Sequence, residues 1–496
     1  MGLNLAFFSI LVWRRIIRKR FFSEKQAAQG RFRKPVDTFA LGQSGMEQTH
    51  GLLGPVRSPA EREALAEMLF AASGPENTDR VSELLFRLGL VEEWARIAFA
   101  RKMSKTLLGV FLGREEEPPA VRWPKLLRPL YRARFTAVSR ALALNNLGHL
   151  SPRYARHFLT AALSDPSSQV RRVAIEGLGR GRDPAAIPLL VEELRKAVGE
   201  GNDLSLRSLK VALIRFPLQA LESFLPYLTD SSRRCRFFVT DTIRQICDLA
   251  AAKSRLTKKD FSPALYRAVV EQCQYDEFED VRARSCYIAR HFRDDNATEM
   301  LRRLMQDRNE FVRLHSLRAA ADEFYEVLIP DVVARLTDER WLVREAAVQT
   351  LRAMGSNGRD ALFQFFVGCT DRFAAEQACD EFQRRGVIPG LLLAMAAGGE
   401  EGPLADKVVR KLVSIGKTAL LLPQLGSGNS FAVQIALMDA LAVNPTPEFV
   451  SILKALSLHD SDQISSKARH VLNRIQSESN TRSNGDGVGK ERPRYA

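Results

Sequence analysis

Residues 165–194 read DPSSQVRRVAIEGLGRGRDPAAIPLLVEEL, and the pattern of this stretch recurs along the chain. An Asp is followed by four residues, an apolar residue, an Arg, two further residues and then a small residue. DRNEFVRLHS from residue 307 and DERWLVREAA from residue 338 are further copies. The copies contain the following Asp and Arg residues, of which the second pair belongs to a weaker copy: Asp165 and Arg171, Asp230 and Arg236, Asp276 and Arg282, Asp307 and Arg313, Asp338 and Arg344.

The apolar position of the pattern has a period of about 31 residues. Val281, Val312 and Val343 are 31 residues apart, and LNNLG at 144–148 recurs as IEGLG at 175–179. A period of this length is typical of helical repeat arrays. Further along the chain, intervals of 32, 30, 28 and 31 residues lead to Ala375, Ala405, Val433 and Ile464.

Each repeat contains two amphipathic helical patterns. Near residue 340, apolar residues follow the spacing of a helix face in two groups: Ile329, Val332, Val333 and Leu336, then Val343, Ala347, Leu351 and Met354. The recurring Asp lies between the groups, where its carboxylate can act as the N-cap of the second helix. Gly179 and Gly355 follow second helices and can end them in a left-handed conformation. Because no strand pattern of useful length interrupts these helices, we predict an all-α fold, an α-solenoid of stacked antiparallel helix pairs.

These residues resemble the HEAT repeat, particularly its short bacterial form, over about 70% of the chain. The pattern weakens after Ala375 and Ala405, where Glu376 and Asp406 replace the Arg. The resemblance implies a protein-interaction scaffold. It leaves two alternatives, because HEAT arrays also include DNA glycosylases that read damaged duplex DNA and enzymes that bind iron through His-Glu dipeptides.

The N-terminal segment predicts contact with a membrane. Residues 3–13 (LNLAFFSILVW) are uncharged, and RRIIRKRFF follows at 14–22. Eleven helical residues rise only about 16 Å, whereas a bilayer core needs about 30 Å. Three interpretations stay open: a spanning helix whose upstream half is missing because Met1 is not the true start, a helix lying in the interface, or a helix packed on its own protein. The predicted membrane-contacting residues are Phe7, Phe8, Ile10, Leu11, Trp13, Arg14, Arg15, Arg18, Lys19 and Arg20.

The charge distribution agrees with a tether better than with a nucleic-acid footprint. The net charge is +15, of which residues 1–36 hold +8 and residues 37–476 only +6. Because Lys and Arg beside a membrane segment stay on the cytoplasmic side, we expect the bulk of the chain to be cytoplasmic. The six cysteines form no CxxC pair, which favours buried, reduced thiols.

The recurring Arg residues allow two interpretations. A basic stripe for phosphates would use Arg140, Arg171, Arg207, Arg236, Arg282, Arg313 and Arg344. Alternatively, each Arg pairs with an Asp of the same or the next repeat and forms a structural ladder. We favour the ladder, because Asp accompanies Arg in the best copies.

No motif predicts catalysis. The seven histidines include no HExxH and no His-Glu dipeptide, and GxxxxGK[ST] and GxSxG are absent. We therefore predict no catalytic residue, metal site or cofactor, and a non-catalytic scaffold with an unknown protein partner. A nucleic-acid-binding solenoid and a HEAT-type lyase or other enzyme are the alternatives. The predicted organisation is a membrane-associating helix at 1–22, a linker at 23–49, a helical cap region at 50–128, the repeats at 129–476 and a disordered tail at 477–496.

Overall fold

The regular structure of the chain is helical. No strand is present in the ranges that the computed structural model describes, which are 2–99, 136–199, 206–384, 386–426 and 428–485. The all-α prediction is therefore confirmed. The chain divides into two compact units, Met1–Ala268 and Val269–Ala496.

The first unit begins with a long helix and continues with shorter ones. Its described α-helices are α1 Gly2–Ala40, α2 Met46–Leu53, α3 Pro59–Ala71, α4 Thr78–Arg87, α5 Leu90–Phe99, α6 Ala137–Leu147, α7 Pro152–Ala162, α8 Ser168–Gly181, α9 Ile187–Gly199, α10 Leu206–Leu213, α11 Arg233–Ala251 and α12 Pro263–Arg267. The second helices of successive repeats, α6, α8 and α10, pack side by side. In one repeat a 3-10 helix, Leu218–Tyr227, replaces the first α-helix.

The second unit has the same plan. Its described α-helices are α13 Glu279–Ala289, α14 Asp295–Leu304, α15 Glu310–Ala319, α16 Ile329–Ala334, α17 Trp341–Ala353, α18 Gly355–Gly368, α19 Arg372–Arg384, α20 Val387–Ala397, α21 Gly402–Ser414, α22 Phe431–Leu441, α23 Pro447–Leu456 and α24 Asp462–Gly485. The second helices α13, α15, α17 and α19 pack in sequence, each against the next.

The apolar position of the repeat lies in the core of both units. Val170, Val281, Val312 and Val343 are buried. So are the four residues that only the period assigned, namely Ala375, Ala405, Val433 and Ile464. Full burial of a side chain such as Val contributes about 1.5–3 kcal/mol, so this position stabilises every repeat. The periodicity therefore continues through repeats in which the motif Arg is missing.

Residues 23–49 are not a linker. Helix α1 continues to Ala40, and α2 begins at Met46. Phe32, Val36 and Phe39 recur at helical spacing on α1 and are buried, and α1 packs against α3. The linker prediction was wrong because polar and basic residues surround this narrow apolar stripe.

The other predicted boundaries are only partly covered. The cap region contains α3, α4 and α5, while residues 100–128 lie outside the described ranges. The tail was predicted to be disordered from residue 477, but α24 extends to Gly485. Residues 486–496 lie outside the described ranges.

Only one of the two glycines ends its helix as predicted. Gly355 follows α17 with a φ of 81°. Gly179 lies inside α8, which instead ends at the left-handed Arg182. Close packing requires glycine there, because a Cβ at residue 179 would lie 2.6 Å from the Cα of Ala212 on α10.

Candidate functional site

The recurring Asp shapes the turn before each second helix. Its Oδ1 accepts the backbone N–H of the residue two positions on, at 2.8 Å both from Asp165 to Ser167 and from Asp307 to Asn309. Ser167 and Asn309 are the N-cap residues of α8 and α15, so the Asp is not itself the cap. The N-cap prediction was wrong because this short side chain closes an Asx turn one step earlier in the chain. The same bond joins Asp230 to Ser232, Asp276 to Phe278 and Asp338 to Arg340.

The recurring Arg holds the same turn from the helix side. In every copy its Nη1 donates to the carbonyl oxygen of the Asp six residues earlier, at 2.7–2.9 Å. This bond fixes the guanidinium at the start of the second helix. The arginines concerned are Arg171, Arg236, Arg282, Arg313 and Arg344.

The Arg also reaches the next repeat. Arg313 donates from Nε and Nη2 to the two carboxylate oxygens of Asp338, at 2.9 and 2.8 Å. Arg282 makes the same two-bond contact with Asp307, at 2.8 and 3.0 Å. In the first unit, Arg140 pairs in this way with Asp165, at 3.3 and 2.9 Å. Paired hydrogen bonds of this geometry are stronger and more directional than single ones.

Two further ladder residues depart from this pattern. Asp230 pairs with Arg195, which lies outside the motif. Among the residues that the structure describes, which omit 200–205, Arg171 bonds only to the backbone of its own turn, at Asp165 and Pro166. Because Arg140, Arg236 and Arg282 are buried, these three do not line an exposed basic stripe.

The ladder changes at Arg344 on α17. Its Nε donates to Oε1 of Gln377 at 3.1 Å, where Arg282 and Arg313 have a carboxylate partner. Gln377 in turn donates to the carbonyl oxygen of Trp341 at 3.0 Å. On α19, Glu376 occupies the position of the motif Arg. The ladder therefore does not continue from α17 to α19.

A groove of about 270 Å³ lies between α17 and α19 at this break. Its lining includes Trp341, Phe373, Glu345, Glu376, Asp380 and Glu381, together with Arg344 and Gln377. We call it the α17–α19 groove. The side chain of Trp341 is 59% exposed and that of Phe373 is 72% exposed. The described lining of the groove thus combines two exposed aromatic rings with four carboxylates and one guanidinium. One of the carboxylates, Glu381, is buried and pairs with Arg352 at 3.3 Å.

The repeat pattern alone does not reveal this groove, although the sequence contains two signals of it. Large apolar residues are expected to be buried, yet aromatic residues begin several second helices. They are exposed in the second unit at Phe311, Trp341, Phe373 and Phe431. The other signal was the change from Arg to Glu at Glu376, which reverses the charge of a repeat position.

The N-terminal half of α1 is a second candidate site. Arg15, Arg18, Lys19 and Arg20 are exposed, as are Ile16, Ile17 and Phe22, so this stretch is exposed on all sides of the helix. The side chains of Phe7, Phe8, Ile10, Leu11, Trp13 and Arg14 lie outside the described part of the chain. No helix in the described ranges is long and apolar enough to cross a membrane.

The remaining chemical groups to locate are potential metal ligands and the cysteine thiols. Among the side chains that the structure describes, no group of three or more His, Cys, Asp and Glu residues is arranged to hold a metal ion. All six cysteines are free and buried. Burial raises the pKa of the Cys235 and Cys379 thiols to about 11, which disfavours the reactive thiolate.

We therefore expect the native thiols to be unreactive. With a disulfide reagent at pH 8, native protein should give less than about one labelled thiol per chain, because buried thiols stay protonated and inaccessible. Unfolding in guanidinium should expose all six cysteines. Rapid labelling of two or more thiols in the native protein would contradict the burial described above.

Comparisons with known proteins identify the repeat. The family model of HEAT repeats matches residues 124–210 and 266–352. No curated protein sequence matches the chain significantly.

Three solved structures show some likeness to the chain. Human deoxyhypusine hydroxylase matches 59% of this chain and 96% of its own at 19% identity, with a TM-score of 0.22. Kap121p matches over 94% of this chain and 55% of its own chain at 12% identity, with a TM-score of 0.32. An engineered protein matches over 89% of this chain and 99% of its own chain at 15% identity, with a TM-score of 0.28. These scores are too low to transfer any property of the three proteins. The family match confirms the resemblance that the motif indicated, and the chain carries HEAT repeats at residues 124–210 and 266–352.

Proposed function

We propose that this chain is a non-catalytic protein-interaction scaffold, tethered by α1 to the cytoplasmic face of a membrane. The tether rests on one observation. One face of the C-terminal half of α1 is buried where this helix packs against α3, whereas residues 15–20 are exposed on every side. A helix that leaves its own protein in this way has both apolar and basic groups available for another surface.

The sequence of α1 suits an anionic lipid surface. The uncharged residues 3–13 can enter the interface, and the following basic residues can meet lipid phosphates. Each Lys or Arg close to an anionic leaflet contributes about 1 kcal/mol. Since basic residues stay on the cytoplasmic side, the repeats would lie on that side as well.

The scaffold part of the proposal follows from the repeats. Stacked helical repeats present long surfaces that suit extended partners. The α17–α19 groove is such a surface, because it exposes two aromatic rings beside charged groups. Aromatic residues are enriched at protein interfaces.

Vesicle flotation tests the tether. The full chain should float with vesicles that contain phosphatidylserine, and binding to pure phosphatidylcholine should be much weaker. The triple variant R15E/R18E/K19E should weaken binding at least about 100-fold, because three attractions of about 1 kcal/mol each are lost and become repulsions.

A matched control has the same change of charge elsewhere on the first unit. Lys253, Arg255 and Lys259 are exposed, so K253E/R255E/K259E should bind vesicles like the wild type. Equal losses of vesicle binding in both triple variants would mean that binding depends on the net charge of the protein and not on α1. If the wild type fails to float with anionic vesicles, the tether is wrong.

A further inference from the structure

We propose that the α17–α19 groove binds an extended segment of a partner protein by receiving its Lys or Arg side chains. This proposal rests on the scaffold part of the proposed function and is independent of the tether. Exposed aromatic rings define a docking surface, and the charge of the groove selects a cationic occupant.

The charge of the groove arises from the break in the ladder. At the position where earlier repeats place an Arg, α19 has Glu376. Asp380 lies one helical turn further on, and it is exposed and makes no hydrogen bond or ion pair with any described residue. Glu345 faces them from α17. Arg344, the one cation among the described lining residues, already donates to Gln377 and to the Asp338 carbonyl oxygen.

The two aromatic rings of the groove also favour a Lys or Arg side chain. The faces of Trp and Phe rings attract Lys and Arg cations, with Trp the strongest. The rings of Trp341 and Phe373 are more than half exposed, so they are accessible from solvent. Their side chains can also cover the aliphatic stem of a bound Lys or Arg while its charged end meets the carboxylates.

The repeat geometry favours an extended partner. Packed helices lie about 8–10 Å apart, and an extended chain advances about 3.3 Å per residue. Three residues of such a chain therefore span one repeat. Phe311, near the start of the neighbouring helix α15, is also exposed. A partner with basic residues at every third position would match this spacing.

Attraction to the protein as a whole does not explain such binding. The chain has a net charge of +15, so its overall field repels a basic peptide. Affinity for a basic peptide therefore reports a local negative site.

Fluorescence anisotropy with a labelled (Arg-Ala-Ala)3 peptide tests the proposal on the full chain. The wild type should bind it, and (Glu-Ala-Ala)3 should not compete. Trp341→Ala should weaken binding about fivefold or more, the loss expected for a cation–π contact. Asp380→Lys should weaken it at least as much, because an attraction becomes a repulsion.

Controls separate the groove from general effects. Leu458→Ala removes an exposed apolar side chain, and Glu400→Lys makes the same charge change at an exposed loop residue. Both controls should bind the peptide within twofold of the wild type. If they lose as much affinity as the groove variants, or if the wild type prefers the acidic peptide, the proposal is overturned.

A further variant restores the repeat pattern. Glu376→Arg places the motif residue back on α19, so the groove should gain a cation and lose its peptide binding, with an unchanged or higher melting temperature. Peptide binding that survives in this folded variant would overturn the groove as the site. All groove variants should still float with anionic vesicles, so a failure of the groove is distinguishable from a failure of the tether.

Discussion

Replacing Arg313 by alanine should lower the free energy of unfolding by about 3 kcal/mol, because it strands a buried charge. The side chain of Asp338 is only 3% exposed, and Arg313 supplies its two shortest side-chain contacts. After the substitution, Asp338 keeps Arg335 at 3.5 Å and the backbone N–H of Arg340. The substitution also removes the bond from Arg313 to the carbonyl oxygen of Asp307.

Thermal unfolding followed by circular dichroism measures this loss. A change of about 3 kcal/mol in a unit of this size lowers the melting temperature by about 6–12 °C. Arg308 is exposed, and Arg308→Ala should change stability by less than about 0.5 kcal/mol. The loss of stability in Arg344→Ala should lie between those of Arg313→Ala and Arg308→Ala, because Arg344 bonds to the neutral amide of Gln377. If Arg313→Ala and Arg308→Ala have the same melting temperature, the ladder is not a source of stability.

The stabilising effect of this pair should depend on pH. Burial alone would raise the pKa of Asp338, but hydrogen bonds from Arg313 and the Arg340 backbone outweigh it, and the pKa lies below the ordinary value of 3.8. The native carboxyl therefore binds fewer protons than the unfolded one, and its contribution is present above about pH 4 and lost as the pH falls through its lowered pKa. In Arg313→Ala the buried carboxyl loses the hydrogen bonds from Arg313 but keeps its desolvation, so the pKa of Asp338 is higher than in the wild type. The gap in stability between the wild type and Arg313→Ala should therefore be largest near pH 7 and should shrink as the pH falls through the pKa of Asp338 in the variant and then in the wild type. A gap that widens on acidification would contradict this origin.

Gly179→Ala should destabilise the first unit by about 2 kcal/mol, the cost of overpacking a tight contact. The new Cβ would lie 2.6 Å from Ala212 Cα and 2.8 Å from the Ala212 carbonyl oxygen, so α8 and α10 must separate. Neither obstacle can rotate away, because both are backbone atoms. This penalty exceeds the gain of about 1 kcal/mol that alanine has over glycine inside a helix.

Urea unfolding of three glycine variants tests whether close packing causes this loss of stability. Gly390 lies inside α20 with nothing within 4 Å of an added Cβ, so Gly390→Ala should stabilise by up to about 1 kcal/mol. The three atoms nearest to an added Cβ on Gly177 all belong to the flexible side chain of Leu159, the first at 2.8 Å, so Gly177→Ala should cost less than Gly179→Ala. If Gly179→Ala is as stable as Gly390→Ala, the close packing of α8 on α10 is wrong.

The α17–α19 groove illustrates why a functional surface is hard to predict from the sequence. Trp341, Phe373 and Glu376 are plain in the sequence, but the significance of each depends on residues about 30 positions away. Arg344 could have met a carboxylate or an amide at the next repeat, and only the packing of α17 on α19 selects Gln377. A repeat motif describes what the copies share, whereas the groove exists where one copy departs from the others.

The sequence by itself determined the all-helical repeat and the residues of its core. Apolar spacing within a helix and a period near 31 residues are properties of neighbouring positions, so they survive where the motif Arg is lost, as at Ala375 and Ala405. Only the tertiary structure decided that Arg313 reaches Asp338, that α1 continues to Ala40, and that glycine at 179 serves packing. These outcomes depend on distances between residues remote in the chain, because a side chain bonds to whichever group the stacked helices bring within reach.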